Sequence, residues 1–101
     1  PRVDLPELQR RFGRVVLRRR LEARLTQEQL AVAVGVHRNH LSLIERGQHL
    51  PNLALVFSLA AAFGVSMGTL INEVEAEGPQ ADGPQPLPRG RPRKRPKSND
   101  S

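Results

Sequence analysis

Two short apolar patterns with helical spacing meet at a single glycine, Gly35, and this junction limits the folds open to the chain. The first pattern follows Thr26 and Gln29, which have the spacing of a capping box, and the second ends at Gly47. A link of about two or three residues between helices of about nine residues each forces a steep crossing. The sequence therefore predicts a helix-turn-helix unit over about residues 26–47.

The flanking sequence contains three more apolar patterns with helical spacing. The first predicts a helix over about residues 6–23, with Asp4 and Glu7 as a capping box. The other two predict helices over about residues 52–64 and 66–75, each opening at a polar capping residue. No pattern of period two, the mark of a strand, is present. We therefore expect an all-α domain of five helices.

The composition changes at residues 77–78. Residues 78–101 contain six prolines and one large apolar residue, Leu87, so this segment cannot bury enough surface to offset its ordering entropy. We expect one domain over residues 1–77 and a disordered, Pro-rich tail over residues 78–101. The tail carries six basic and two acidic residues, against ten basic and eight acidic residues before it, which favours a polyanionic partner.

Several classes of function are disfavoured. The chain has no cysteine, and the spacing of His37, His40 and His49 fits no common zinc pattern, so we expect no metal site. No nucleophile is paired with a base and no glycine loop could cradle a phosphate, so we expect neither an enzyme nor a cofactor. The chain has no apolar run long enough to cross a bilayer and no signal peptide, so no membrane partner is expected.

The stretch LTQEQLAVAVGVHRNHLSLIERGQHLPNLALVFSLAAAFGVS resembles the Xre-type, lambda-repressor-like DNA-binding domains of phage repressors, bacterial regulators and restriction–modification controller proteins. The resemblance covers Phe12 to about Ile71. It rests on motifs at the spacing of the family, which are Thr26-Gln27, Leu30-Ala31, Gly35-Val36, Ile44-Glu45-Arg46-Gly47, Pro51 and Gly64-Val65-Ser66. The resemblance implies a compact five-helix fold that binds double-stranded DNA.

The third predicted helix is the candidate for reading bases. Leu41 and Ile44 define its inner direction at about 100° per residue, so Asn39, Ser42, Leu43 and Arg46 point outward. Arginine can bind guanine and asparagine can bind adenine, each through two hydrogen bonds. Leu43 could touch a thymine methyl group or could merely be an exposed leucine. With the resemblance, the predicted base-reading residues are Arg38, Asn39, His40, Ser42 and Leu43.

The resemblance also implies roles for residues around this helix. Gln27, at the start of the second helix, matches a residue that holds a phosphate, and Arg46 and Asn52 are further predicted phosphate contacts. Arg20 and Glu45 match a pair that bridges the first helix to the third. The alternative for Arg20 is one more solvated charge. His37 stands where the family usually has Ser or Thr, which predicts weaker capping.

The fourth predicted helix is apolar nearly all round, which one small domain cannot bury alone. Its predicted outer positions include Leu55, Ser58 and Ala61. We therefore expect a homodimer, with an interface that includes Leu55, Ser58, Ala61 and Met67. The alternatives are that Leu55 is simply exposed or that the tail folds over it. A two-fold dimer would set its reading helices about 34 Å apart on DNA.

The tail contains the stretch PRGRPRKRPK. Arg89-Gly90-Arg91-Pro92 resembles the core of an AT-hook, in which arginines lie in a narrow A·T minor groove. A generic polybasic tail that gains affinity through counterion release is equally compatible, and a membrane or RNA role is less favoured. The predicted DNA contacts of the tail are Arg89, Gly90, Arg91, Pro92, Arg93, Lys94 and Arg95.

The sequence thus favours a sequence-specific regulator of transcription that reads the major groove with helix 38–46, aided by its tail. Two alternatives remain: an antitoxin-like module that binds a protein partner and regulates its own synthesis, and a non-specific architectural DNA binder. A regulator of this kind is expected in the cytoplasm, at the bacterial nucleoid.

Overall fold

Five helices make up the computed structural model, which describes residues 3–78. They are α1 (Leu5–Glu22), α2 (Gln27–Val34), α3 (Arg38–Glu45), α4 (Leu53–Phe63) and α5 (Met67–Glu77). The predicted five-helix, all-α fold is confirmed. The predictions for the basic tail lie outside the described residues.

Polar caps fix where the helices begin. The capping box of α2 has both of its bonds, since Thr26 Oγ1 accepts from Gln29 N at 3.0 Å and Gln29 Oε1 accepts from Thr26 N at 2.9 Å. The box predicted for α1 is only half formed. Asp4 accepts from Glu7 N, but the Glu7 carboxylate turns instead to Arg10 and Arg11. Two opposite charges within one helical turn compete successfully with the backbone amide.

Gly35 makes the turn between α2 and α3. Its φ of 78° lies in the left-handed region, which glycine adopts without steric cost. The amides of Gly35 and Val36 donate to Ala31 O at 2.9 and 3.0 Å, so the last turn of α2 is closed before α3 begins. This short connection joins two helices that pack against each other, as predicted for a helix-turn-helix unit.

One hydrophobic core joins all five helices. It contains Phe12, Val15 and Val16 of α1, Leu30 and Ala31 of α2, Leu41 and Ile44 of α3, Leu55, Val56, Leu59 and Ala60 of α4, and Leu70 and Val74 of α5. Helix α1 packs against α3 and α5, while α2 packs against α3 and α4. The support of α3 therefore comes from two sides.

Within residues 3–78, no single helix has the length and apolar character to cross a bilayer. Helices α4 and α5 reach that length only as a pair, bent by 99°.

Helix α1 approaches the last turn of α3 closely at Gly13. A Cβ atom at this position would lie 2.5 Å from Ile44 O and 2.7 Å from Glu45 O, which is too near for any side chain. The absence of a side chain therefore lets the two backbones meet. This contact sets the position of the end of α3 relative to α1.

Candidate nucleic-acid interface

The outward side of α3 is open to solvent. Leu41 and Ile44 are fully buried, and Asn39, Leu43 and Arg46 are exposed on the opposite side. Arg38, Asn39, Ser42, Leu43 and Arg46 together are called the recognition surface below. Two of its members lie at its margins: Ser42 is half-buried, and Arg38 leans towards the start of α2.

His37 caps the N-terminus of α3. Its Nδ1 accepts a hydrogen bond from Asn39 N at 3.1 Å, so an imidazole nitrogen takes the place of the usual hydroxyl oxygen. This bond reaches the amide two residues on, whereas Thr26 and Asn52 reach the amide three residues on. The cap holds the first turn of α3, where Arg38 and Asn39 lie.

A buried ion pair joins α1 to the end of α3. Arg20 Nε and Nη2 donate to Glu45 Oε2 and Oε1 at 2.6 and 3.1 Å, and the side chains are only 11% and 3% exposed. Arg20 Nη1 also donates to Leu25 O at 2.8 Å. The structure thus brings the two predicted bridging residues together and ties the loop before α2 to the same guanidinium.

Gln27 lies between this pair and the recognition surface. Its Nε2 donates to Glu45 Oε1 at 2.9 Å, and its Oε1 accepts from Arg38 Nη1 at 3.4 Å. The side chain predicted to hold a phosphate is therefore engaged within the protein. The amides at the start of α2, which carry the positive end of the helix dipole, are the groups that favour an anion there.

The other two predicted phosphate contacts also make bonds within the protein. Asn52 caps α4, with Oδ1 accepting from Leu55 N at 2.8 Å. Arg46 is exposed just after α3, and its Nε donates weakly to Ser42 O at 3.4 Å. Both keep further N–H groups that can donate to a ligand.

His40 packs against His49 in the loop before α4. The ring centroids are 4.6 Å apart and the rings meet edge to face at 75°. His40, predicted as a base reader, thus contacts the α3–α4 loop and lies on the flank of the recognition surface. The contact between residues nine positions apart was missed because no local pattern links a helix flank to an irregular loop.

Ion pairs between α1 and α5 were also missed. Glu77 accepts from Arg14 Nε at 2.9 Å and from Arg18 Nη1 at 3.0 Å, and Glu73 accepts from Arg19 Nε at 3.0 Å. The spacing of Arg14 and Arg18, and of Glu73 and Glu77, by four residues on each helix was the available signal. These bonds extend α5 to Glu77, two residues beyond the predicted end.

The two glutamates of α5 that pair with α1 have lowered pKa values. The hydrogen bond from Arg19 holds the pKa of Glu73 below its ordinary value. Partial burial acts to raise the pKa of Glu77, but hydrogen bonds from Arg18 and Arg14 outweigh this effect and lower it. Each pair therefore favours the charged form of its glutamate.

The prediction that Leu55 lies on the outer side of α4 is wrong. Leu55 is 7% exposed and belongs to the hydrophobic core that the five helices share. Among the other residues of the predicted interface, Ala61 is exposed, and Ser58 and Met67 are half-buried. The large apolar side chains exposed on α4 are instead Leu53 and Phe57, at 74% and 63%.

The sequence of the chain is similar to a helix-turn-helix family model and to several HTH-type proteins. A family model described as HTH_3, helix-turn-helix, matches residues 16–70. An HTH-type transcriptional regulator of Sinorhizobium fredii is 32% identical over 69 residues, which is 68% of this chain and 90% of that protein. A second, from Methanocaldococcus jannaschii, is 46% identical over 43 residues, or 43% of this chain. The immunity repressor of Bacillus phage phi105 is 35% identical over 54 residues, or 54% of this chain. The chain spans 65% of the Methanocaldococcus protein and 38% of the phage protein.

Solved structures show the same arrangement. The clp gene regulator ClgR of Corynebacterium glutamicum aligns with a TM-score of 0.65 and 28% identity, over 68% of this chain and 73% of that one. The restriction–modification controller protein C.AhdI of Aeromonas hydrophila aligns with a TM-score of 0.59 and 31% identity, over 61% and 94% of the two chains. The family model covers more than half of the chain, and both structures share its fold. The chain therefore belongs to the Xre-type helix-turn-helix family of DNA-binding transcriptional regulators.

Proposed function

We propose that the protein regulates transcription by binding a specific double-stranded DNA site, with α3 in the major groove. The observation that carries this proposal is the recognition surface. Arginine, asparagine and serine side chains stand on the open side of a helix that is held from behind by the core and by the Arg20–Glu45 pair. Such a rigid polar helix surface suits the width of the major groove.

The chemistry of each side chain suggests its target. Asn39, exposed on the first turn, can bind adenine N6 and N7, and Arg38 can bind guanine O6 and N7. Leu43 offers an apolar contact for a thymine methyl group. Arg46 and the start of α2 at Gln27 flank this row and suit the phosphates on either side. In this arrangement the base contacts determine which sequence is bound, and the phosphate contacts fix the position of the protein along the DNA.

Selection of bound sites from random DNA, repeated with Asn39→Ala, tests the proposal. The parent protein should recover one preferred sequence. Asn39→Ala should lose about 1–3 kcal/mol on that site and relax the preference at one or two base pairs. Arg46→Ala is the matched variant, because loss of a phosphate contact should weaken all sequences alike. Recovery of random sequences by the parent protein would contradict sequence-specific binding.

We also propose that the protein binds DNA as a homodimer. The support is the exposed apolar row of Leu53, Phe57 and Ala61, which lie four residues apart on α4 and so share one face. A two-fold dimer would read a pseudo-palindromic site, with half-sites about 34 Å apart. In a bacterial cell such a regulator would act on the chromosome in the cytoplasm.

For residues 78–101, we propose an accessory DNA contact. The support is the charge of the sequence, with six basic residues between Arg89 and Lys97. Either an AT-hook-like insertion of Arg89 and Arg91 into a minor groove or simple counterion release would add affinity. The AT-hook-like contact predicts an affinity that depends on the base sequence beside the core site, whereas counterion release predicts an affinity that does not.

A further inference from the structure

An apolar cleft lies between the start of α1, the start of α4 and one side of α5. Its volume is about 400 Å³, which is in the range of clefts that hold a ligand. The residues that line it include three from the core and three that are exposed to solvent, which are Phe12, Val56, Val74, Val3, Leu53 and Ile71. The cleft therefore leaves apolar surface open to water, and covering that surface would be favourable.

The tail leaves the domain beside this cleft. Glu75 lines the cleft, and α5 ends two residues later at Glu77. Arg14 donates to Glu77 Oε2 at 2.9 Å and to Gly78 O at 3.4 Å, and these bonds hold the end of α5 against α1. The start of the tail is thus fixed within about one helical turn of the cleft.

The tail contains one segment that suits an apolar cleft, Pro86-Leu87-Pro88. Leu87 is the only large apolar residue of the tail, and the prolines beside it have little backbone freedom to lose on binding. The nine positions from Gly78 to Leu87 span up to about 28 Å, at about 3.1 Å each. The seven positions from Gly78 back to Ile71 span only about 10 Å along the helix. The segment is therefore long enough to reach back to the cleft.

The charges of the cleft and the tail are complementary. Glu75 is exposed, and among residues 3–78 it forms no ion pair, whereas Glu73 and Glu77 pair with arginines of α1. Arg89 follows Leu87 by two positions. A docked Leu87 would therefore bring a guanidinium within reach of the Glu75 carboxylate, beside the apolar contact.

We propose that Pro86-Leu87-Pro88 docks in this cleft of the same chain and anchors the basic stretch of the tail next to the DNA. Leu50 and Pro51 also line the cleft, and the next residue is Asn52, a predicted phosphate contact. The cleft thus adjoins the edge of the proposed DNA interface. This inference rests on the proposed function, because the anchor has a role only if the domain binds DNA there.

The anchor would act by shortening the tether of the basic stretch. Without it, Arg89 lies eleven positions beyond the fixed point at Gly78, and with it only two positions beyond Leu87. Effective concentration falls with roughly the −3/2 power of tether length, so this shortening corresponds to about a tenfold gain at nearby phosphates. The gain requires no additional charge.

Docking is tested first without DNA, by NMR of the whole chain. The chain has no cysteine, so a spin label can be attached at Gln85→Cys alone. The label should broaden the amide signal of Ile71, in the cleft, more than that of Val32, on the exposed surface of α2. Leu87→Ser should abolish this difference. Ala81→Ser, a neutral change elsewhere in the tail, is the matched control and should preserve it.

The consequence of docking is tested on the preferred DNA site. Leu87→Ser should weaken binding about three- to tenfold, although it keeps every charge of the tail. Ile71→Ser should do the same, and the double variant should lose no more than either single variant. Ala81→Ser and Ala76→Ser, the latter at an exposed position of α5, should bind as the parent does. Thermal unfolding confirms that each variant is folded.

The results that would contradict the inference are distinguishable. Equal broadening of the cleft and of α2 would exclude docking, and broadening of isotope-labelled chains mixed with spin-labelled ones would assign the contact to a second copy. Either result would leave the proposed function standing. Tighter DNA binding by Leu87→Ser would show that the docked tail is withheld from DNA, which would overturn the anchoring role. A parent protein with no preferred site would refute the proposed function, whereas the NMR test would keep its own result.

Discussion

At the scale of single residues, Glu45 is the position that depends most on its hydrogen-bond partners. Its carboxylate is almost fully enclosed and receives three hydrogen bonds, two from Arg20 and one from Gln27. A buried charge with its partners in place adds little net stability, but removal of one partner leaves an uncompensated charge and costs about 3–5 kcal/mol. The pair therefore acts mainly to fix geometry, by locking the end of α3 to α1.

A double-mutant cycle measures this coupling. Arg20→Met and Glu45→Gln should each lower the free energy of unfolding, and the double variant should lose about 0.5–3 kcal/mol less than the sum of the two. The Arg10–Glu7 pair within α1 is the control, because the Arg10 side chain is 50% exposed, so solvent screens the pair and its coupling should be small. Additive losses from Arg20→Met and Glu45→Gln would show that the pair does not act as a unit.

At the scale of elements, local chemistry predicted more than packing did. Helix starts and turns were predictable because caps such as Thr26 and left-handed glycines such as Gly35 act on their immediate neighbours. The orientation of α4 was not, since an apolar helix has no polar face to reveal its outer side. Leu55 was therefore assigned outward, whereas it is buried in the core. The ionic contacts of Glu73 and Glu77 likewise join residues far apart in sequence.

The α1–α5 ion pairs predict an acid-sensitive contribution to stability. Glu73 and Glu77 have lowered pKa values when folded, so their pairs contribute fully above the ordinary value of 4.5. The contribution is lost as the pH falls below 4.5 through the lowered values, where the folded state must take up protons. Because all five side chains are partly exposed, each pair contributes less than about 1 kcal/mol.

Urea unfolding of the parent and of the Glu73→Gln/Glu77→Gln variant, at about pH 6 and about pH 3, checks this sign. The difference in unfolding free energy should be largest at the higher pH and shrink in acid. Glu75→Gln, an exposed position on the same helix, is the control. An equal difference at both pH values would refute the proposed cause.

At the scale of the whole molecule, two exposed surfaces of different polarity are candidates for binding. The recognition surface is largely polar, whereas α4 exposes Leu53 and Phe57. Apolar side chains grouped in this way are typical of association sites. This division would let one domain bind DNA and, in the proposed homodimer, a second copy at the same time.

The dimer is tested by sedimentation at tens of micromolar. The parent should sediment as a dimer, and Phe57→Glu should shift it towards the monomer, because a charge in the interface would have to be desolvated. Val32→Glu is the matched control, since Val32 is 77% exposed on α2, away from the row on α4. A parent protein that remains monomeric, unaffected by Phe57→Glu, would exclude this interface.

The tail is tested with two probes that share one core site but carry A·T-rich or G·C-rich flanks. Arg91→Lys conserves the charge while replacing a flat, weakly hydrated group with a compact ammonium. An AT-hook-like contact should lose its preference for A·T flanks, and deletion of residues 78–101 should reduce the salt slope by about 3–4 units. Unaltered flank discrimination by Arg91→Lys would leave only the counterion effect.

The glycine in the middle of α1 reverses a common rule of protein engineering. Replacing a glycine inside a helix with alanine ordinarily gains about 0.5–1 kcal/mol, because alanine is the better helix former. At Gly13 the added methyl group would meet the carbonyl oxygens of Ile44 and Glu45, so the gain becomes a loss. A shift that relieved this collision would move the end of α3, the helix that we propose reads DNA. At this crossing of α1 and α3, a substitution made to stabilise the fold would therefore also be expected to change which DNA sequence is preferred. A single added methyl group is enough to link the two properties.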